Sequence, residues 1–377
     1  MRTRALCVAV CLFVGTSAAA IARAAEPGAP PRRASVGRSP LGFNFSLGRG
    51  HDDNVLQLTR QTLDLFTRRP GPPRFLISQV GDMATIARGS LRWRARPWDR
   101  RETRLDLDAA FHRYDHDRVF DWQELELSAS QELTASRRRP LTAELYGGRV
   151  PDYYLGEITD IDESVAAGRT VRHSLSYAQT TYGLRLRQEL LRGRLEFGGA
   201  LERIHREYNR HFLERMNDND SWRLQAEATP FRGWDGSARV TWLRGDLNAR
   251  GDLPDTLGVT DTDISYDHDG VGISLALPWG RGAWRGRFDG SFMPEVRRYT
   301  TDNKFDILRF GRENHRRDTR LRLTQRVWGP LDAVATWERL ISRAEFHQGI
   351  TFPAAQTNFD QEQFGVELRA RWEFALR

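Results

Sequence analysis

Lysine is almost missing from this chain. It occurs once, at Lys304, so nearly all of the positive charge is arginine. Cysteine is as scarce, with Cys7 and Cys11 alone. Both lie in a leader-like start, so the remainder has no thiol chemistry and no disulfide. No unbroken apolar stretch of about 18 residues or more occurs after that start, which excludes a helix that crosses a bilayer. No Gly-x-Ser-x-Gly elbow is present, and neither a phosphate loop nor a dinucleotide fingerprint stands in a strand–helix context. Excess charge is also small. The 377 residues carry a formal charge of +7, and without Arg2, Arg4 and Arg23 this falls to +4 (7 − 3). That balance argues against nucleic acid as a partner.

What the chain does have is a period of two. From Gln363 to Leu376, Phe364, Val366, Leu368, Ala370, Trp372, Phe374 and Leu376 fall on one face. Glu367, Arg369, Arg371 and Glu373 fall on the other. Successive strand side chains point to opposite faces, so this is a strand with one apolar and one charged face. A soluble core does not bury such a charged row, whereas a strand with lipid on one side and water on the other needs it. The mean hydropathy of −0.60 is compatible with this, because half of every spanning strand is polar.

The pattern recurs. Leu41 to Gly48, Leu91 to Arg96, Leu105 to Phe111, Leu125 to Leu133, Leu141 to Leu145, Tyr182 to Leu190, Leu195 to Leu201, Trp222 to Ala228, Ala238 to Trp242, Val271 to Leu277, Trp284 to Phe292, Leu321 to Val327 and Leu331 to Ile341 repeat it. The expected fold is all-β, a transmembrane antiparallel up-and-down β-barrel of about 14 strands, with about 12 to 16 as the range. The segments Val55 to Phe66 and Arg74 to Val80 are the candidates for an extra strand pair. No helical period stands out between the strands. Short connections, such as Leu191-Arg192-Gly193 and Trp328-Gly329-Pro330, alternate with long ones, such as Pro151 to Thr180, Glu207 to Ser221, Gly245 to Asp269 and Pro294 to Arg317. An even count with this alternation places both termini in the periplasm. Trp98, Trp234, Trp279, Trp284, Trp328 and Trp372 lie near the short turns, and Trp122, Trp222 and Trp242 near the long loops, as two interfacial belts would have them.

Three regions are expected. Residues 1–24 read as a signal peptide, with basic Arg2 and Arg4, an apolar run from Ala5 to Val14, and Ala22-Arg23-Ala24 as the cleavage site. Residues 25–40, rich in Pro, Gly, Ala and Arg, read as a flexible periplasmic lead-in, and 41–377 as the barrel.

These features together resemble Gram-negative outer-membrane β-barrel proteins of the porin-like, uncharacterised kind, over roughly Leu41 to Arg377. The stretch Gly50-His51-Asp52-Asp53-Asn54-Val55 is similar to a short Asp-Asn-Val signature of such barrels. The chain departs from them at its end, Phe374-Ala375-Leu376-Arg377, where an aromatic residue usually stands. The resemblance implies the cell outer membrane, lipid as surroundings, and the barrel-assembly machinery as the partner during insertion.

The face opposite the lipid is the lumen. It is expected to present Arg92, Arg94, Arg185, Arg187, Arg285, Arg287, Arg320, Arg322, Arg369 and Arg371, with the acids Asp106, Asp108, Glu124, Glu126 and Glu144 facing them. Opposed charge rows orient polar solutes in a water-filled pore; alternatively, ion pairs between neighbouring strands knit the wall. Asp and His also cluster at His51-Asp52-Asp53, Asp115-His116-Asp117 and Asp267-His268-Asp269. Carboxylates and imidazoles can bind a divalent cation or activate water, but at strand ends a hydrated rim is the simpler expectation. The leading reading is a pore for passive passage or export of hydrophilic solutes, anions among them. A surface-binding barrel with a plugged lumen is the alternative, and a hydrolase a more distant one. No catalytic residue, metal site or cofactor is expected.

Overall fold

The computed structural model describes residues 39–68, 77–98, 101–134, 139–160, 166–169, 171–191, 193–229, 236–251, 263–280, 284–302, 306, 308–347 and 357–376. The first strands are β1 (Ser39–Asp52), β2 (Asp82–Trp98), β3 (Arg101–Tyr114), β4 (Trp122–Glu132) and β5 (Leu141–Asp160). Then come β6 (Val171–Leu190), β7 (Leu195–Tyr208), β8 (Asn217–Ala228), β9 (Ser237–Ala249) and β10 (Tyr266–Trp279). The last are β11 (Gly286–Tyr299), β12 (Arg312–Trp328), β13 (Leu331–Phe346) and β14 (Phe359–Leu376). Each pairs antiparallel with its sequence neighbours, and β1 pairs with β14 from Ser39↔Leu376 to Asp52↔Gln363, so the sheet closes on itself. Closure leaves no open edge, as a strand structure in lipid requires.

The outward face is apolar and exposed. Leu47, Leu91, Leu127, Leu145, Leu184, Leu224, Ile273, Leu323 and Leu368 all stand on it, Leu145 at 64% and Leu368 at 58% exposure. Such a continuous apolar surface is stable against lipid, not water. Along β14 the apolar positions run from Phe374 to Phe364, a length of the order of the 9–11 residues that span a bilayer. Charge then takes over on the same face, at Glu362 and Asp360.

Aromatic residues mark both borders of the belt. Phe43 stacks on Trp372 with ring centroids 5.7 Å apart, near the short turns. At the other border Trp222 and Trp242 are exposed, and Trp337 Nε1 donates to Glu362 Oε1 at 2.6 Å. Trp122 departs from its expected place. It lies on the inward face of β4, opposite His112, with which it stacks at 3.9 Å. Trp234 and the side chain of Trp98 lie outside the described residues.

Further expectations need correction. Among the described residues, the loop after β1 holds no extra strand pair. It contains the helix α1 (Arg60–Arg68), begun by Thr59, whose Oγ1 accepts from Thr62 N at 3.4 Å. The segment 151–180 is mostly strand: β5 and β6 extend to Asp160 and from Val171, with irregularities at Val150/Tyr153 and Tyr154/Gly156. The leader and lead-in lie outside the described residues, except that Ser39 and Pro40 already belong to β1.

Candidate functional site

The inward face carries most of the strands' charge, and its charges are organised in small clusters. Glu144 of β5 accepts from Arg185 at 2.7 Å and Arg187 at 2.8 Å, both on β6. Asp106 of β3 pairs with Arg92 of β2 at 2.6 Å and with Arg104. Glu367 of β14 pairs with Arg88 of β2 at 2.8 Å and with Arg369 at 3.2 Å. Asp332 of β13 pairs with Arg371 at 2.8 Å and lies 3.6 Å from Arg326. Each of these acids is shared by two guanidinium groups, so every cluster keeps a surplus of positive charge. Elsewhere the ratio changes: Arg320 is held between Asp318 at 2.7 Å and Glu338 at 3.1 Å, and Arg287 by Asp289 at 2.6 Å.

Asp108 on β3 and Glu124 and Glu126 on β4 behave differently. None has an arginine, lysine or histidine nitrogen within 4.0 Å among the described residues. They line a cavity of about 480 Å³ together with Arg88, Arg92, Arg369 and Arg371. A smaller cavity of about 280 Å³ lies by β8–β12, where Glu227, Arg239, Arg287, Asp289, Arg320 and Arg322 contribute. Arg322 has no carboxylate within 4.0 Å among the described residues, and its buried Nη2 has no hydrogen-bond partner.

The space exists because many inward positions are small. Ser46, Gly48 and Gly50 on β1, Ser90 on β2, and Ser128 and Ser130 on β4 all lie on the inward face. At Gly48 the need is specific. A Cβ there would stand 2.5 Å from the Glu367 Cβ.

One end of the lumen is partly covered. Phe66 of α1 and Ile77 pack on Ala84, Tyr114 and Phe120, flanked by Ile86, Trp122 and Tyr154. Ala84, Ile86, Tyr114 and Trp122 are on the inward faces of β2, β3 and β4, so the described parts of the β1–β2 loop are folded inward against that wall. Carboxylates hold it. Asp117 accepts from Ser78 N at 3.0 Å and Ser78 Oγ at 3.1 Å. Asp82 accepts from His116 N at 3.0 Å and Asp117 N at 3.1 Å. At the other end of the loop, Asn54 Oδ1 accepts from Leu58 N at 2.8 Å, and Asn54 Nδ2 donates to Asp360 O at 3.0 Å. Asp52 accepts from Gln361 at 2.8 Å and Gln363 at 2.7 Å.

The His–Asp clusters thus separate into individual duties. His51 faces out while Asp52 faces in. His116 Nδ1 lies 2.9 Å from Asp82 Oδ1, and this hydrogen bond raises the His116 pKa. Asp115 pairs with Arg49, whose hydrogen bond lowers the Asp115 pKa. His268 faces in and is buried, 3.6 Å from Glu295, while Asp267 and Asp269 face out. Among the described residues no group of three or more His, Cys, Asp or Glu is arranged to hold a metal ion.

Of the expected wall residues, all but Arg285 lie on strands with their inward neighbours; Arg285 is in the turn before β11. Arg94 stands 4.0 Å from Glu373. The arginines of β12, β14 and β2 share one side of the barrel, whereas Arg185 and Arg187 are on β6, several strands away. Asp106 and Glu144 do not face arginines across the lumen; they pair with adjacent strands. Sequence reasoning passed over Arg88, Glu367 and Asp332 as cluster centres, although Glu367 shares the parity of Arg369. It also passed over an inward aromatic row, Trp122–Tyr153–Tyr177–Tyr208, with centroid spacings of 6.0, 5.4 and 5.4 Å.

A closed antiparallel barrel with an apolar belt outside and a charged wall inside has the architecture of an outer-membrane β-barrel. No family model matches the chain, and no curated protein matches it. Solved structures are similar at low identity. The TodX monoaromatic hydrocarbon channel is 9% identical with a TM-score of 0.43, covering 91% of each chain. The anion-selective porin from Comamonas acidovorans is 9% identical at TM-score 0.39, covering 89% of this chain and 99% of that one. Pseudomonas aeruginosa OprD is 10% identical at TM-score 0.39, covering 89% and 95%.

Proposed function

We propose that the protein is a passive channel for hydrophilic solutes, anions among them, in the outer membrane. One observation carries this reading: a cavity of about 480 Å³ lies inside the barrel between arginines and the acids Asp108, Glu124 and Glu126, which have no cationic partner within 4.0 Å among the described residues. Charges left unmatched in a water-filled passage with low-dielectric walls set up a field across it, which orients a polar solute and eases the loss of its water. Ion pairs along the wall hold the other arginines against the sheet, out of the solute's path. The surplus of guanidinium in the shared-acid clusters gives a mild preference for anions. Residues 1–24 would direct export and be removed, 25–40 would form the periplasmic lead-in, and the barrel-assembly machinery would insert the rest.

The inward-folded loop with Phe66 and Ile77 supports a second reading, a barrel closed at its mouth that binds partners on its loops. Swelling of liposomes that contain the purified, folded protein separates the two. Swelling in isosmotic small sugars or amino acids supports the channel. Its absence supports the closed barrel.

A further inference from the structure

We propose that the cavity bounded by β14, β1, β2, β3 and β4 binds small zwitterions, molecules that carry one carboxylate or phosphate and one ammonium group on a short skeleton. The inference rests on the channel reading for the route by which the solute arrives. It names the solute class that this part of the wall selects.

The two signs of charge are separated in the cavity. Arg369 and Arg371 come from β14, Arg88 and Arg92 from β2, while Asp108 comes from β3 and Glu124 and Glu126 from β4. Asn44 Nδ2 of β1 donates to Ser90 Oγ of β2 at 2.8 Å among the arginines, and Ser90 stands in register with Asp108 of β3, so a neutral, hydrogen-bonding patch adjoins both signs of charge. The arginine side keeps a net positive charge, because Arg88 and Arg369 share Glu367 and Arg371 shares Asp332 with Arg326. The acid side keeps a net negative charge, because none of its carboxylates has a cationic partner within 4.0 Å among the described residues.

A free anion drawn to the guanidinium groups meets three carboxylates. A free cation drawn to the carboxylates meets the arginine surplus. A molecule with both charges satisfies both walls at once, through charge-assisted hydrogen bonds at each end. The volume of about 480 Å³ lies within the range of small-molecule sites and suits a skeleton of a few carbons.

The test uses the purified protein in planar bilayers with potassium chloride carrying the current, and glutamine, propionate or ethylammonium added to one side. The expected result is a concentration-dependent block by glutamine where propionate and ethylammonium at the same concentration leave the current unchanged. In the variant Asp108→Asn, Glu124→Gln, Glu126→Gln the half-blocking concentration of glutamine should rise roughly tenfold or more while the salt current persists. A salt current that glutamine does not block, that all the probes block alike, or that is blocked equally in the variant overturns the zwitterion site and leaves the channel standing. If the wild type carries no salt current, the channel reading fails. Calorimetric titration of glutamine into the detergent-solubilised protein then decides the site by itself: heat that vanishes in the variant supports it, and no heat in the wild type overturns it.

Discussion

Arg88 on β2 donates to Glu367 on β14 at 2.8 Å, 279 residues away in sequence and across the intervening β1. Ser46 of β1 donates to the same carboxylate at 2.9 Å. The closing seam is thus tied by one side chain that reaches three strands. Gly48 leaves the room for it. Replacing Gly48 with valine should prevent closure, since the new Cβ would overlap both Glu367 Cβ and Val366 O, each 2.5 Å away. Glu367→Gln is milder and should cost about 1–3 kcal/mol by leaving Arg88 and Arg369 without their shared acid. Urea titration of folding into lipid vesicles measures both; wild-type midpoints in both would contradict the seam.

The belt predicts a different intolerance. Leu368 is near the middle of the apolar run on β14 and pairs with Leu47 and Ala333, which also face outward. Leu368→Arg should reduce the stability of the barrel folded into bilayers by about 2–4 kcal/mol. Unchanged folding would mean that this face does not meet lipid.

The strand centres were legible in the sequence because lipid and water impose opposite demands on alternate residues. The strand tops were not. Above the belt both faces are wet, so the outward positions of β7 become Arg203, His205 and Glu207 and the alternation vanishes, although pairing with β8 continues to His205↔Asp218 and Arg206↔Asn217. The helix α1 was hidden for another reason. Leu63 and Leu65 imitate a strand period, and one short helix held by the packing of Phe66 gives little periodicity of its own. In the lumen, parity marked which charges face inward. Partner choice depends on register, which no strand reveals alone: Asp332 meets Arg371 and Arg326 because β13 lies between β12 and β14.

The β3–β4 turn, whose Asp117 holds Ser78 of the inward loop, should respond to pH. His116 has a raised pKa in the folded protein, caused first by its hydrogen bond to Asp82. Its contribution is therefore complete below the ordinary histidine pKa of about 6.5 and is lost as pH rises through the raised value. Hydrogen exchange of the His116 and Asp117 amides, which donate to Asp82, should exceed the intrinsic increase with pH across that window, and His116→Ala should remove the excess. An excess that persists in the variant would assign the effect to another group.

Orientation is open to labelling. Asp64 is exposed on α1, on the long-loop side, and Arg139 is exposed in the short β4–β5 connection. Cysteine at 64 should react with an impermeant thiol reagent on intact cells, and cysteine at 139 should react only after the outer membrane is opened. The reverse pattern would invert the barrel.

The central claim is that the charged interior conducts. The most direct test is the current through single protein molecules in a planar bilayer under a salt gradient. Stepwise conductance is expected, with a reversal potential on the anion side that moves towards cations in Arg322→Gln, Arg369→Gln. The direction of that movement follows from removing Arg322, which has no carboxylate within 4.0 Å among the described residues, and Arg369, one of the pair that shares Glu367. Folded protein that carries no current at any voltage would contradict the account.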